Sequence, residues 1–267
     1  NDFVFLPPGA SVYLYIDVAE ARPILDLLSF GNLRGGDIPE VLGRTGSAVA
    51  AFYPENAGRR FFAVARGDYP RFRSGLSMAF SSLWKKRRSA RGGSYWYSAA
   101  YNLAVSLSAG RAFLSDQDPL GVSPETQCPG GFEALSRGAV LAGWLSGGAA
   151  PVNSFLAVRE IPLQIPAEQV LFGIHPLPPE DGAGGTYEVT LRLETPSVSQ
   201  AQGLMTIISM MRLFMTGAFE PGDPFKIMAD LFSGQPVREG SNLILRSGPL
   251  DAGEIALLFQ IFSLYSI

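Results

Sequence analysis

The sequence contains few of the residues and motifs from which enzyme active sites and metal centres are commonly built. Among 267 residues there is one cysteine, Cys128, and one histidine, His175. The chain can therefore form no internal disulfide, and a histidine-based metal site is not expected because no partner ligands occur at the usual spacing. There is no G-x-x-x-x-G-K-S/T phosphate loop, no G-x-S-x-G elbow, no C-x-x-C pair and no H-E-x-x-H. These absences predict a protein that is not an enzyme and that uses neither a metal nor a cofactor.

Charged residues are also scarce. They make up 17% of the chain, against about a quarter in an average domain, whereas hydrophobic residues make up 47%. The mean hydropathy is +0.16. This composition supplies a hydrophobic core and predicts apolar surface that contacts another molecule. The 30 glycines and 20 prolines predict many turns.

Hydrophobic periodicity predicts an α+β fold. Residues 186–194 alternate between apolar and polar, as a half-buried strand does. Hairpins interspersed with helices favour a layered α/β/α arrangement of antiparallel or mixed sheet with apolar amphipathic helices. The predicted strands are 12–18, 48–53, 61–65, 95–97, 103–107, 112–114, 155–161, 170–174, 186–194 and 242–246. The predicted helices are 19–33, 74–86, 197–216, 225–232 and 251–265, with a short helix and then a strand within 132–145.

The order of these elements predicts one domain over residues 1–267. Its two halves, 1–150 and 151–267, both run through a proline-marked entry, strands and an apolar helix. A degenerate internal duplication would explain that similarity.

The predicted helix over 197–216 is almost entirely apolar. It holds four of the six methionines, and Arg212 is its only charged residue. The apolar stretch 203–219 is at the short end of the range for crossing a bilayer. One interpretation is a core helix that is buried on most sides. The other is a helix that offers its apolar face to lipid, a role that suits the adaptable methionine side chain.

The C-terminal helix has an equally apolar face. Ile255, Leu258, Phe259 and Phe262 recur at helical spacing, and no charged residue follows Glu254. Such a helix either docks on a core or lies in a membrane interface.

Basic residues are concentrated in one part of the chain. Ten of the 21 Lys and Arg lie between Arg59 and Arg91, and only Asp68 opposes them. Apolar residues and Trp84 come directly before the four cations at 85–88, a pattern typical of segments on anionic membrane surfaces. A solvated basic loop is the alternative. Nucleic acid is not expected as a partner, because the sequence pI is 5.3 and strand alternation would separate Trp96 from its aromatic neighbours.

With these apolar helices, the missing catalytic set and the mature-like start, the chain resembles treponemal outer-membrane-associated lipoproteins. The start at Asn1 leads us to expect that a leader has been removed. The resemblance implies an α/β/α fold, a closed soluble state and an open state inserted in the membrane. It also implies an acylated cysteine upstream of Asn1 and a periplasmic location.

The resulting hypothesis is a periplasmic, outer-membrane-associated lipoprotein that binds and partly inserts into lipid of the inner leaflet and alters membrane permeability. The alternative is a soluble carrier that encloses a lipid or another apolar ligand. A third hypothesis is a structural partner whose homo-oligomer hides the helices. The residues predicted to contact lipid are Leu76, Phe80, Leu83, Trp84, Lys85, Lys86, Arg87 and Arg88; Leu204, Ile207, Ile208, Met211, Phe214 and Met215; and Ile255, Leu258, Phe259 and Phe262.

Overall fold

The chain divides into two compact units. The first comprises Asn1–Ala19 and Gly31–Gly130, and the second comprises Glu20–Phe30 and Gly131–Ile267. The computed structural model describes residues 2–28, 42–54, 57–70, 78–122, 129–147, 153, 164–178, 185–215, 229–230 and 233–264. The strand predicted over 155–161, most of the helix predicted over 225–232, Leu76 and Cys128 lie outside these ranges.

The first unit consists mainly of antiparallel sheet. Its strands follow the spatial order β1-β2-β3-β7-β6-β5-β4, and every neighbouring pair in this order is antiparallel. β-Branched and aromatic residues are frequent in several of these strands, as in Val12–Asp17 and Ser94–Ser98, and short turns join the strands between Lys85 and Ser115. The strands are β1 (Val12–Asp17), β2 (Thr45–Phe52), β3 (Phe61–Gly67), β4 (Lys85–Arg88), β5 (Ser94–Ser98), β6 (Leu103–Ser108) and β7 (Arg111–Ser115), preceded by a 3₁₀ turn at Asp2–Phe5.

An ion-pair cluster around the buried Asp2 carboxylate holds the 3₁₀ turn against this sheet. Arg66 of β3 and Arg111 of β7 lie directly opposite each other, so their like charges would repel. The Asp2 carboxylate accepts a hydrogen bond from the Nε of each arginine, at 2.8 Å in both cases. Burial raises the Asp2 pKa, but the hydrogen bonds and charges of the two arginines outweigh it and hold the pKa below its usual value. Phe3 and Leu6, which follow Asp2 closely in the sequence, are both buried.

The described part of the second unit combines five antiparallel strands with the longest helices in the described residues. The spatial order of its strands is β11-β12-β10-β9-β8. The elements are α1 (Arg22–Leu25), α2 (Phe132–Ser136), β8 (Leu141–Ser146), β9 (Gln169–Pro176), β10 (Tyr187–Glu194), α3 (Val198–Met215), β11 (Val237–Glu239), β12 (Asn242–Arg246) and α4 (Ala252–Leu264).

The core of the second unit forms where α3 packs on the sheet. Leu204 and Ile208, one helical turn apart, are buried against Leu193 of β10 and against Leu243 and Leu245 of β12. Residues at i and i+4 share one side of a helix, so this contact places one face of α3 on the sheet. The opposite face of α3 is left without such a partner among the described residues.

The layered α/β/α arrangement predicted from the sequence is wrong. Within the described residues the structure is mostly antiparallel sheet, with twelve strands and few helices. In the described part of the first unit, helical structure is limited to the 3₁₀ turn and three-residue segments at 42–44 and 78–80. α1 and α2 are about one turn each, too short to cover a sheet. Most consecutive strands pair with each other in antiparallel fashion, and an antiparallel pair needs no crossover helix.

Two further sequence predictions need correction. The helix predicted over 19–33 is helical only at Arg22–Leu25 within its described part, and the residues after it are turns. The helix predicted over 74–86 is helical at 78–80, but residues 85 and 86 belong to β4.

The strand Val237–Glu239 was not predicted from the sequence. All three of its residues are exposed and show no alternation of apolar and polar residues.

Gly143 is required by the ring of Phe172. The two residues are directly opposite across β8 and β9, and a Cβ atom at 143 would overlap the aromatic ring. Gly143→Ala is therefore expected to lower the free energy of unfolding by about 1–3 kcal/mol, as overpacking does. Denaturant titration measures this loss, and adding Phe172→Leu should recover part of it.

The control for this variant is Gly203→Ala, an exposed position in α3 where an added Cβ meets no atom within 4 Å. This change should stabilise the protein by about 0.5–1 kcal/mol, because alanine is the better helix former. An equal loss in both variants would contradict the assignment of Gly143 to the Phe172 contact.

Asp2→Asn should remove the negative charge that offsets the repulsion between Arg66 and Arg111. We expect a loss of about 1–2 kcal/mol at pH 7. A lowered folded-state pKa means that this stabilisation is present above the usual value of 3.8 and is lost as pH falls through the lower value. The difference between the two proteins in denaturant titrations should therefore shrink as the pH falls below 3.8 and through the lowered pKa of Asp2.

Asp26→Asn serves as the matched control, because Asp26 forms an exposed pair with Arg22 at 2.9 Å. Its loss should stay below about 0.5 kcal/mol at every pH. An Asp2→Asn effect that is unchanged at low pH would overturn the assignment.

Candidate functional site

The four consecutive cations at 85–88 form an edge strand. β4 is the last strand in the order of the first unit, pairs with β5 alone among the described strands, and has all four residues exposed. Gly92 and Gly93 turn the chain between the two strands with φ of +93° and +84°, values that favour glycine. Exposed edge strands are places where charged side chains are tolerated, since both faces can reach solvent.

Strand alternation divides these cations between two faces. Lys85 lies opposite Tyr97, and Arg87 is on the same face, with its guanidinium 3.9 Å from the Tyr97 ring centroid. Lys86 lies opposite Trp96 on the other face, with its ammonium 6.0 Å from that ring centroid. Each face therefore carries its own cation–π contact.

The Lys85 face borders an open groove of about 280 Å³. The Tyr97 hydroxyl donates a hydrogen bond to Asn102 Oδ1 at 3.2 Å, which holds the ring in place. No acidic residue occurs between Asp68 and Asp116, so the sequence around the groove carries only positive charge. The groove is lined by Ser82, Leu83, Lys85, Arg87, Tyr97, Ala99 and Ala100.

Large apolar side chains lie close to this groove in the sequence. Phe80 is 83% exposed, and Leu83 and Tyr101 are exposed as well. The Trp84 ring is half-buried and packs near Tyr101, with ring centroids 6.3 Å apart. Residues 80–101, which contain the β4–β5 hairpin, thus combine exposed aromatic residues with cations that form no ion pair among the described residues. Such a combination is expected of a segment that meets an anionic, amphipathic surface. We call residues 80–101 the basic hairpin.

The free face of α3 carries a second apolar surface. Ile207, Met210 and Leu213 are three residues apart, and their exposed fractions are 37%, 49% and 76%. Thr206 and Ser209 lie on the same exposed side. Their hydroxyls donate hydrogen bonds to the carbonyls four residues earlier, at 3.0 and 2.7 Å. Both hydroxyl groups are therefore satisfied within the helix, and the face behaves as an apolar one. We call Ile207, Met210 and Leu213 the α3 stripe.

The structure separates the residues predicted to contact lipid. Phe80, Leu83, the four cations and Ile207 are exposed, whereas Leu204, Ile208, Ile255 and Leu258 are buried. Phe259 is half-buried. The side chains of Leu76, Met211, Phe214, Met215 and Phe262 lie outside the described part of the structure. Lipid contact by the buried group stays a prediction, and it requires that these side chains leave the core.

Sequence reasoning missed several residues of both surfaces. Met210 and Leu213 were not selected, although their spacing of three from Ile207 signals a shared face. Tyr97, Ala99 and Ala100 of the groove were missed because the strand character of 85–88 was not recognised. The Gly-Gly pair between two runs of strand-forming length was the available hairpin signal.

The C-terminal helix α4 is docked within the second unit. Ile255 is fully buried and Leu258 is 6% exposed. The Asp251 carboxylate accepts from the Glu254 backbone N–H at 2.8 Å, and the Glu254 carboxylate accepts from the Asp251 N–H at 2.9 Å. This reciprocal capping box defines where α4 begins.

The described residues contain neither a helix that could span a membrane nor a cluster of metal ligands. None of the helices in these ranges combines the length and the apolar character needed to traverse a bilayer. No three His, Cys, Asp or Glu side chains within the same ranges come together in a way that could hold a metal ion.

Solved structures share this architecture. Crystal form III of TP0453, a Treponema pallidum protein, matches with a TM-score of 0.64 at 19% identity, over 98% of this chain and 97% of that chain. Crystal form I matches with a TM-score of 0.63 at 20% identity, over 100% and 98%. The chain has the fold of TP0453. Crystal form IV agrees, with a TM-score of 0.62 at 19% identity over 96% and 95%.

The solved structures that share this fold are those of a treponemal protein, the group of organisms that the resemblance stated from the sequence names. At this level of identity the match establishes the fold, and lipoprotein character stays a prediction. No protein-family model and no curated protein matches the sequence.

The two faces of α3 should differ in their sensitivity to truncation. Leu204→Ala removes a side chain that is 2% exposed in the sheet contact, so we expect a loss of about 2–4 kcal/mol in the free energy of unfolding. Leu213→Ala removes one that is 76% exposed and should change it by less than about 0.5 kcal/mol. Denaturant titration of both variants tests the assignment, and equal losses would contradict it.

Proposed function

We propose that this protein binds the surface of a lipid membrane and inserts the α3 stripe into it. The observation that carries the proposal is the exposed face of α3, where Ile207, Met210 and Leu213 lie beside hydroxyls that already bond to the helix backbone. Such a face can enter the headgroup–acyl boundary without leaving a hydrogen-bond donor unpaired.

The energetics favour the exposed residues as the source of affinity. Full burial of one Ile, Leu or Met contributes roughly 1.5–3 kcal/mol, so the stripe supplies several kcal/mol. Leu204 and Ile208 are already removed from water, so transfer from the core to lipid gains little for them. Deeper insertion of the buried helices is a second step, which needs the sheet contact of α3 to open.

The basic hairpin of the first unit supports the same function. Lys85, Lys86, Arg87 and Arg88 are exposed and follow exposed Phe80 and Leu83. Each cation near an anionic bilayer contributes about 1 kcal/mol and accelerates encounter with the surface. We place the protein on the periplasmic face of an outer membrane, with an acylated anchor upstream of Asn1 and an effect on permeability. These points are supported by the resemblance to treponemal lipoproteins.

Vesicle flotation tests the role of the α3 stripe. Ile207→Glu/Leu213→Glu puts two charges into the apolar face and should weaken partitioning at least tenfold, because a carboxylate cannot enter the acyl region. Its matched control is Gln200→Glu/Gln202→Glu, which adds the same charge at exposed polar positions of the same helix. The control should bind neutral vesicles like the parent.

Thermal unfolding of both variants and dye release from the vesicles complete the experiment. Equal partitioning of the two folded variants would overturn the proposal. Apolar molecules that co-purify with a protein without vesicle affinity would instead support the soluble carrier.

A further inference from the structure

We propose that the groove beside β4 is a binding site for the phosphate headgroup of an anionic lipid. The proposal rests on membrane binding as the function and names the group that the basic hairpin recognises. Lys85 and Arg87 bind the phosphate directly in this proposal. Lys86 and Arg88 only add positive charge to the surface. The difference arises from strand alternation and is absent from the linear sequence.

Lys85 and Arg87 are the cations that border the groove. Both line it together with Tyr97, whereas Lys86 and Arg88 belong to the opposite face of the same strand. The guanidinium of Arg87 lies 3.9 Å from the Tyr97 ring centroid, so the ring orients it. A planar guanidinium can donate two parallel hydrogen bonds to phosphate oxygens, and an ammonium adds a mobile point charge. This pair matches one phosphate group.

Among the described residues, no carboxylate forms an ion pair with Lys85 or Arg87. None of the ion pairs among the described residues involves Lys85 or Arg87, and the sequence has no acidic residue between Asp68 and Asp116. Both side chains are therefore available to an external anion. Unpaired like charges on one strand face also repel, and a bound phosphate would relieve that repulsion.

The remaining walls of the groove are apolar and suit the carbon part of a lipid. Leu83, Ala99 and Ala100 are exposed and line the groove with the cations. A volume of about 280 Å³ accommodates a phosphate with its glycerol ester, just below the usual range for small-ligand pockets. A polynucleotide fits less well, because alternation places Tyr97 and Trp96 on opposite faces and prevents a continuous stacking platform.

Titration with a water-soluble lipid tests the site. The probe is monomeric dihexanoyl phosphatidic acid, followed by NMR shifts of the β4–β5 amides. Lys85→Gln/Arg87→Gln should bind it at least tenfold more weakly than the parent. Lys86→Gln/Arg88→Gln removes the same charge from the other face of the same strand and should stay within about twofold. Dihexanoyl phosphatidylcholine should bind at least tenfold more weakly than the phosphatidic acid, because its phosphate carries a compensating cation.

Three outcomes would overturn the proposal. Equal weakening in the two double variants would mean diffuse attraction by the strand. Equal affinity for inorganic phosphate and for the lipid would mean a free-anion site without a role for the apolar wall. Tighter binding of a single-stranded oligonucleotide, lost equally in both variants, would mean a nucleic-acid surface.

The site and the proposed function fail separately. Thermal unfolding first establishes that each variant is folded. The Ile207→Glu/Leu213→Glu protein should keep the phosphatidic acid affinity while losing vesicle binding. The Lys85→Gln/Arg87→Gln protein should lose affinity for phosphatidic acid and still bind neutral vesicles. Loss of both activities in one folded variant would contradict two separate sites.

Discussion

The alternation of side chains along antiparallel strands is the constraint on which the remaining features depend. In β4 it sends Lys85 and Arg87 to the groove face and Lys86 to the face of Trp96. In β3 and β7 it brings Arg66 and Arg111 together, and the Asp2 carboxylate relieves their repulsion. A shift of one residue in either register would exchange the faces of that strand pair and abolish the arrangement that depends on it.

The long helix α3 shows how one apolar element can serve two purposes. Its Leu204 and Ile208 complete the core on the sheet, so they stabilise the fold. Its Leu213 is exposed, so it adds nothing to the core and is available for contact with another apolar phase. The proposed affinity for lipid would therefore depend on residues that the fold does not use. Deeper insertion would have to offset the loss of the core contact, which makes it a separate and costlier event.

Much of the secondary structure could be predicted from sequence. Strands such as β10 and β12 follow the alternation closely, and α3 and α4 follow the helical spacing. β4 was misassigned because its four cations have no hydrophobic pattern and pair with β5 through backbone hydrogen bonds. The layered arrangement was wrong because periodicity describes the faces of an element and contains no information on how many helices cover a sheet.

The sequence by itself determined the chemical character of the surfaces: a positively charged segment without acidic neighbours and an apolar helix with one arginine. Tertiary structure decided which of those residues face outward. Ile208 and Leu213 are similar in the sequence, yet packing buries the first and leaves the second exposed. Burial depends on contacts between residues that are distant in the chain, such as Leu204 and Leu243, and local periodicity cannot specify them.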